Sequence, residues 1–195
     1  MKALAKALFF VLFFVQSVLS EDAPFKKGTL SFEYQTGILF SPVIVHEELP
    51  SFNYWQTNLR IGRMLNSPHG KGIFRGNLEG IIEITASSVV EGKGSYLFGI
   101  GPLFRYNFVR KSRKFFPYIQ VGAGVCYTDA YYYEATGQGF NFTIHLGIGV
   151  KYLLSKRIAI ELETRYEHIS NAGMDHRNKG INAIGPMFGF TYYFH

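Results

Sequence analysis

Near the C-terminal end of the sequence, an imidazole and a hydroxyl occupy alternate positions in Arg165-Tyr-Glu-His168-Ile-Ser170, and a carboxamide follows at Asn182. A serine hydroxyl is a weak nucleophile until an adjacent imidazole takes its proton, and the imidazole works best when a third group fixes its tautomer. These three side-chain types therefore suffice for nucleophilic hydrolysis of an ester, provided the backbone gathers them. Alternate residues on one strand face lie about 6–7 Å apart, close enough for a ring to lean toward a hydroxyl. Asn182, on an antiparallel neighbour, could then accept from the second ring nitrogen. The same groups would equally suit a polar cluster that merely ends an apolar band, and parity alone does not choose between the two.

The elements that must position them read as strands. Period-2 segments fall near residues 29–39, 52–64, 73–87, 95–108, 116–127, 139–152, 157–169 and 181–194, separated by polar or Gly/Pro-bearing connections. The clearest has Phe140, Phe142, Ile144, Leu146, Ile148, Val150 and Tyr152 on one parity, against Asn141, Thr143, His145, Gly147, Gly149 and Lys151 on the other. Residues 117–127 repeat the pattern, and so do 73–86, with Ile81 as the exception. The polar parity carries Arg75, Glu79, Glu83, Arg105, Glu161, Glu163 and Arg165, opposite charges that would pair across a narrow lumen and fill it. This predicts an all-β fold, an eight-stranded antiparallel transmembrane β-barrel of the outer-membrane type. Pro102 and Pro186 fall inside strands, where each removes a ladder donor, so bulges or local bends are expected there.

Parity then orients the reactive groups. Ile158, Ile160, Leu162 and Tyr166 share the even set with His168 and Ser170, and Ile184, Phe188, Phe190, Tyr192 and Phe194 share it with Asn182. Side chains alternate strictly in a strand, so all three polar groups are expected to project toward lipid near one rim. Polar groups on that face are costly and call for a reason.

Export fits this fold. Lys2 and Lys6 precede a short apolar run from Ala7 to Val15 and small or neutral residues up to Ser20, the pattern of a signal peptide over residues 1–20. A membrane-spanning helix would need roughly 20 apolar residues. Residues 21–195 then form one barrel domain. Hydrophobic residues make up 47% of the chain and charged residues 17%, with 13 Tyr, 19 Phe and 21 Gly, a balance suited to aromatic girdles and small lumen residues. Cys126 stands alone, which excludes an internal disulfide. The net charge of +6 suits anionic headgroups better than nucleic acid in an exported chain. The last strand ends in Phe190-Thr-Tyr-Tyr-Phe194-His195, which resembles the aromatic C-terminal signature of bacterial outer-membrane barrels.

The run His168-Ile-Ser170-Asn171-Ala-Gly173, followed by Asn178-Lys-Gly180-Ile181, resembles the signature of the lipid A 3-O-deacylase (PagL-like) family of eight-stranded outer-membrane barrels. The resemblance implies Ser170 as nucleophile, His168 as general base and then acid, and Asn171, Gly173 and Asn178 as candidates for holding the oxyanion. The best-known members carry glutamate where this chain has Asn182, and a neutral amide can orient an imidazole but cannot stabilise its charged form. Glu167 has the wrong parity to substitute. The implied reaction is hydrolysis of the 3-O-linked acyl ester of lipid A in the outer leaflet, with no cofactor or metal. The implied partners are lipopolysaccharide and the membrane, with a homodimer allowed and no nucleic acid. The rivals are a non-catalytic structural or adhesive barrel and a soluble exported lipid-binding barrel. Asp175 with His176 matches no recognised metal spacing; His46 and His69 read as loop and turn residues, and His145 as a lumen hydrogen-bonding partner.

Overall fold

The computed structural model describes residues 24–41, 51–110, 114–130, 139–176, 178 and 180–194. The expected signal peptide, His46 and His195 lie outside them. Eight antiparallel strands follow in chain order: β1 (Leu30–Leu39), β2 (Asn53–Met64), β3 (Gly76–Glu91), β4 (Tyr96–Phe108), β5 (Phe115–Thr128), β6 (Gly139–Leu153), β7 (Ile158–Ser170) and β8 (Ile181–Phe194). Each pairs with its sequence neighbours, and β1 pairs with β8 to close the barrel.

The alternation read from sequence sorts residues between two environments. Ile61, Ile148 and Phe188 expose 66%, 70% and 58% of their surface on the outer wall, a continuous apolar face that only lipid could cover without cost. The opposite parity is largely buried and polar, with a layer of charged residues at its middle. Glu33 accepts from Arg105 at 2.7 and 2.8 Å, from Lys151 at 2.9 Å, and from Arg60. Glu83 bridges Arg60 at 2.6 Å and Arg165 at 2.9 and 2.7 Å. His145 joins Glu167 and Arg165 in this network.

Apolar clusters cover the charged layer at both ends. One, at the end bearing Ser170, includes Leu39, Phe52, Tyr54, Ile169, Ile181 and Met187. The other includes Phe25, Met64, Val109, Phe116, Leu153 and Tyr193. Among the described residues the lumen is thus a packed core rather than a pore. Removing one partner of such a network leaves buried charge uncompensated, at about 3–5 kcal/mol. Arg165→Leu should therefore lower the unfolding free energy by about that much in urea titrations in detergent micelles. A loss below about 1 kcal/mol would show the network to be energetically slack.

Several local expectations need correction. β3 starts at Gly76 rather than residue 73, because a 3-10 turn occupies Gly72–Phe74 and Gly72 has a left-handed φ of 60°. Arg75 consequently leaves the lumen set and donates to Val109 O at 2.9 Å at the barrel's inner rim. Ile81 does face inward, buried beside its register partner Leu103. Neither proline makes a bulge. Pairing lapses at Gly101 and Pro102 between β4 and β5, and between Gly37 and Phe40 opposite Pro186, yet the register on either side is unchanged. Among the described residues the one register shift falls at Asn53/Tyr54.

Candidate functional site

The β7–β8 hairpin brings the polar groups together on the outer wall. In the ladder His168 lies opposite Asn182, with Tyr166 opposite Ile184. His168 Nδ1 sits 2.8 Å from Asn182 Oδ1. A carboxamide oxygen can only accept, so in this arrangement Nδ1–H donates, and in a neutral ring that leaves the lone pair on Nε2. Tyr166, two positions before the histidine on the same face, donates its hydroxyl to the same Asn182 Oδ1 at 2.6 Å. Tyr166, His168, Ser170 and Asn182 are all half-buried. On the other side of β7, Ile144 and Phe142 of β6 are the register partners of His168 and Ser170, and form an apolar wall.

Ser170 is the last residue of β7. It shares the face of His168, and among the described residues no hydrogen bond links the two. Catalytic hydrogen bonds in unliganded enzymes are often long and tighten only around substrate. The far edge of the ring is held by backbone. A methyl group built on Gly180 would lie 2.7 Å from His168 Cε1 and 3.4 Å from Nε2. Gly180 also has φ +80°, a conformation that side chains disfavour. The imidazole is thus seated between Asn182 on one side and a bare glycine on the other.

The connection after β7 is tied across its base. Asn178 Oδ1 accepts from Asn171 N at 2.9 Å. Asn171 Oδ1 accepts from Gly173 N at 2.9 Å, and its carbonyl from Met174 N at 3.1 Å. The backbone N–H groups of Asn171 and Gly173 are therefore engaged within the loop. The Nδ2 donor of Asn178, with its own oxygen turned to Asn171, has no partner among the described residues, and Asn178 is exposed. Of the three sequence-derived oxyanion candidates, it is the side chain best placed to donate outward.

An apolar groove of about 550 Å³ begins beside this cluster. Two cross-strand rows form its sides. Tyr166, Leu146, Val121 and Phe104 are successive register partners, as are Thr164, Ile148, Ile119 and Tyr106. Strand tilt makes such rows run obliquely down the barrel wall. Neither this groove nor the hydroxyl of Tyr166 was anticipated from sequence. In sequence Tyr166 reads as an apolar member of its parity, and its polar tip near a rim is the one signal it offers.

Other candidates separate from the site. Glu167 points into the lumen, accepting from Tyr54 and Gln56 at 3.2 Å each. Asp175 and His176 contact each other at 3.0 Å, with the histidine side chain 85% exposed. His69 is bonded within its turn to Asn66.

A family model described as lipid A 3-O-deacylase (PagL) matches residues 52–191. The lipid A deacylase PagL of Bordetella bronchiseptica (strain ATCC BAA-588 / NCTC 13252 / RB50) is 30% identical over 93 residues, 48% of this chain and 47% of that protein. The chain therefore aligns with about half the length of that relative. Among solved structures, the outer membrane enzyme PagL superposes with a TM-score of 0.59 at 19% identity, over 82% of this chain and 97% of the other. Neisserial surface protein A superposes with a TM-score of 0.61 at 15% identity, over 86% and 98%. At these identities the structural likeness establishes the fold alone.

Proposed function

The chain belongs to the lipid A 3-O-deacylase (PagL) family, and from that premise we propose that it hydrolyses the 3-O-linked acyl ester of lipid A in the bacterial outer membrane, with Ser170 as nucleophile. The observation that carries the reading is the His168–Asn182 contact, formed on the lipid-facing wall on the same face as Ser170. An ester at the headgroup boundary can reach such a site laterally, without leaving the bilayer, and its acyl chain matches the apolar groove that starts at Tyr166.

In this reading Ser170 Oγ attacks the ester carbonyl carbon while its proton passes to His168 Nε2. Asn182 Oδ1 holds Nδ1–H throughout. The tetrahedral oxyanion takes a hydrogen bond from Asn178 Nδ2, a type of contact that typically contributes about 3–4 kcal/mol. Collapse breaks the bond to the sugar oxygen, which leaves with the proton from His168. Water, deprotonated by the same imidazole, then cleaves the acyl-serine, releases a hydroxy fatty acid and restores the hydroxyl. A homodimer is compatible with this reading, and sedimentation of the detergent-solubilised protein would detect it.

The test is incubation of the purified, folded barrel with lipopolysaccharide in detergent, followed by mass spectrometry of lipid A. The expected product has lost one hydroxyacyl chain, and unchanged lipid A alongside a folded barrel would overturn the assignment. A finer expectation concerns Asn182. A carboxylate stabilises imidazolium where an amide cannot, so Asn182→Glu should raise turnover roughly tenfold. Unchanged turnover in a well-folded variant would count against Asn182 as the group that orients His168.

A further inference from the structure

Asn182 raises a problem that a glutamate would not. A carboxylate offers the imidazole two equivalent acceptor oxygens, whereas a carboxamide has one oxygen and one NH₂ group. If the amide turned over, its Nδ2 would donate to His168 Nδ1. The ring proton would then sit on Nε2, the nitrogen that must accept from Ser170. One of the two orientations supports a general base, and the other extinguishes it.

The Tyr166 hydroxyl bears on this choice. Its 2.6 Å separation from Asn182 Oδ1 lies in the range of O–H···O bonds and is shorter than the usual N–H···O distance. A phenol is a better donor than acceptor, so it favours the amide oxygen on its side. Tyr166 and His168 lie on one face of β7, and Asn182 stands across the ladder from His168. A single oxygen therefore receives both donors, which accounts for both of its lone pairs.

We propose that Tyr166 is a positioning residue that locks the Asn182 carboxamide oxygen toward His168 and thereby selects the Nδ1-protonated tautomer. It contacts neither the reacting carbon nor the nucleophile, and acts through Asn182. The consequence for turnover rests on the esterase reading above, but the tautomer itself does not. Because the Tyr166 ring also lines the apolar groove, the residue joins the acyl-chain path to the catalytic hydrogen bonds.

The test combines Tyr166→Phe, Asn182→Glu and the double variant, with heat-modifiable gel mobility to verify folding. Tyr166→Phe in the native background should lower kcat by about tenfold with little change in KM, the scale expected when a partner that orients a histidine is removed. In the Asn182→Glu background the same change should cost less than about twofold, because a carboxylate needs no such orientation. Side-chain ¹⁵N shifts of His168 provide a readout independent of activity. The native chain should show the Nδ1-protonated tautomer, and Tyr166→Phe a mixture. Equal losses in both backgrounds, or native turnover and an unaltered tautomer in Tyr166→Phe, would overturn the proposal. Should the native chain leave lipid A intact, the deacylase reading fails, while the nitrogen shifts still decide the role of Tyr166.

Discussion

Replacing Ser170 with alanine should reduce lipid A deacylation by at least about a thousandfold and leave the barrel folded. The nucleophile has no substitute in a two-step mechanism, because the acyl-enzyme cannot form without it. What survives such a deletion in serine hydrolases is the contribution of the oxyanion donors and of substrate positioning. The fold should not register the change: Ser170 is half-buried at the last position of β7, outside both apolar clusters and the charged layer. Release of hydroxy fatty acid would be followed by mass spectrometry, and folding by the mobility shift between heated and unheated samples. Equal product from native and variant barrels would remove Ser170 from the mechanism.

The second large effect is expected at a residue with no chemistry of its own. Gly180→Ala should lower turnover by about a hundredfold, since a reacting group misplaced by about 1 Å can cost that much. The added methyl would fall 2.7 Å from His168 Cε1, a separation that real contacts do not show, so the ring must move. Moving it breaks or stretches the bond to Asn182 and turns Nε2 away from the serine side. The left-handed φ of +80° adds strain, roughly 1–2 kcal/mol for a side chain in that region. That strain sits in the connection after β7, where backbone can give without unzipping the barrel. The expected signature is a large fall in kcat from a protein that still folds. A Gly180→Ala enzyme within about twofold of native activity would show that the imidazole is not seated against this backbone.

The barrel was legible because its information is local. In β6 and β5 the alternation of large apolar with small or polar residues persists over most of the strand, and each strand declares its own two faces. The same parity correctly sent His168, Ser170 and Asn182 to the outer wall and Glu167 inward. The start of β3 was misread because the helical turn at Gly72–Phe74 carries apolar residues that mimic the pattern of a strand. The prolines do disturb the ladder, though by gaps in pairing and not by bulges. A missing donor signals a defect, but whether the ladder absorbs it as a bulge or as a gap depends on both neighbouring strands.

The site was only partly readable, since its remaining parts depend on register. That His168 meets Asn182 follows from the β7–β8 pairing, which in turn depends on the length of the loop between them. The hydroxyl of Tyr166 reaches diagonally across that ladder, and the groove arises from side chains on several strands that sequence alone does not align. The seat under the imidazole is equally non-local, because a glycine in a motif does not announce which ring will rest on it.

The filled lumen has a physiological consequence of its own. Carboxylates and guanidinium groups interlock across the middle, and apolar residues stopper both ends. Among the described residues the interior is packed from one end to the other, so the inserted barrel is expected to add no steady conductance to a planar bilayer.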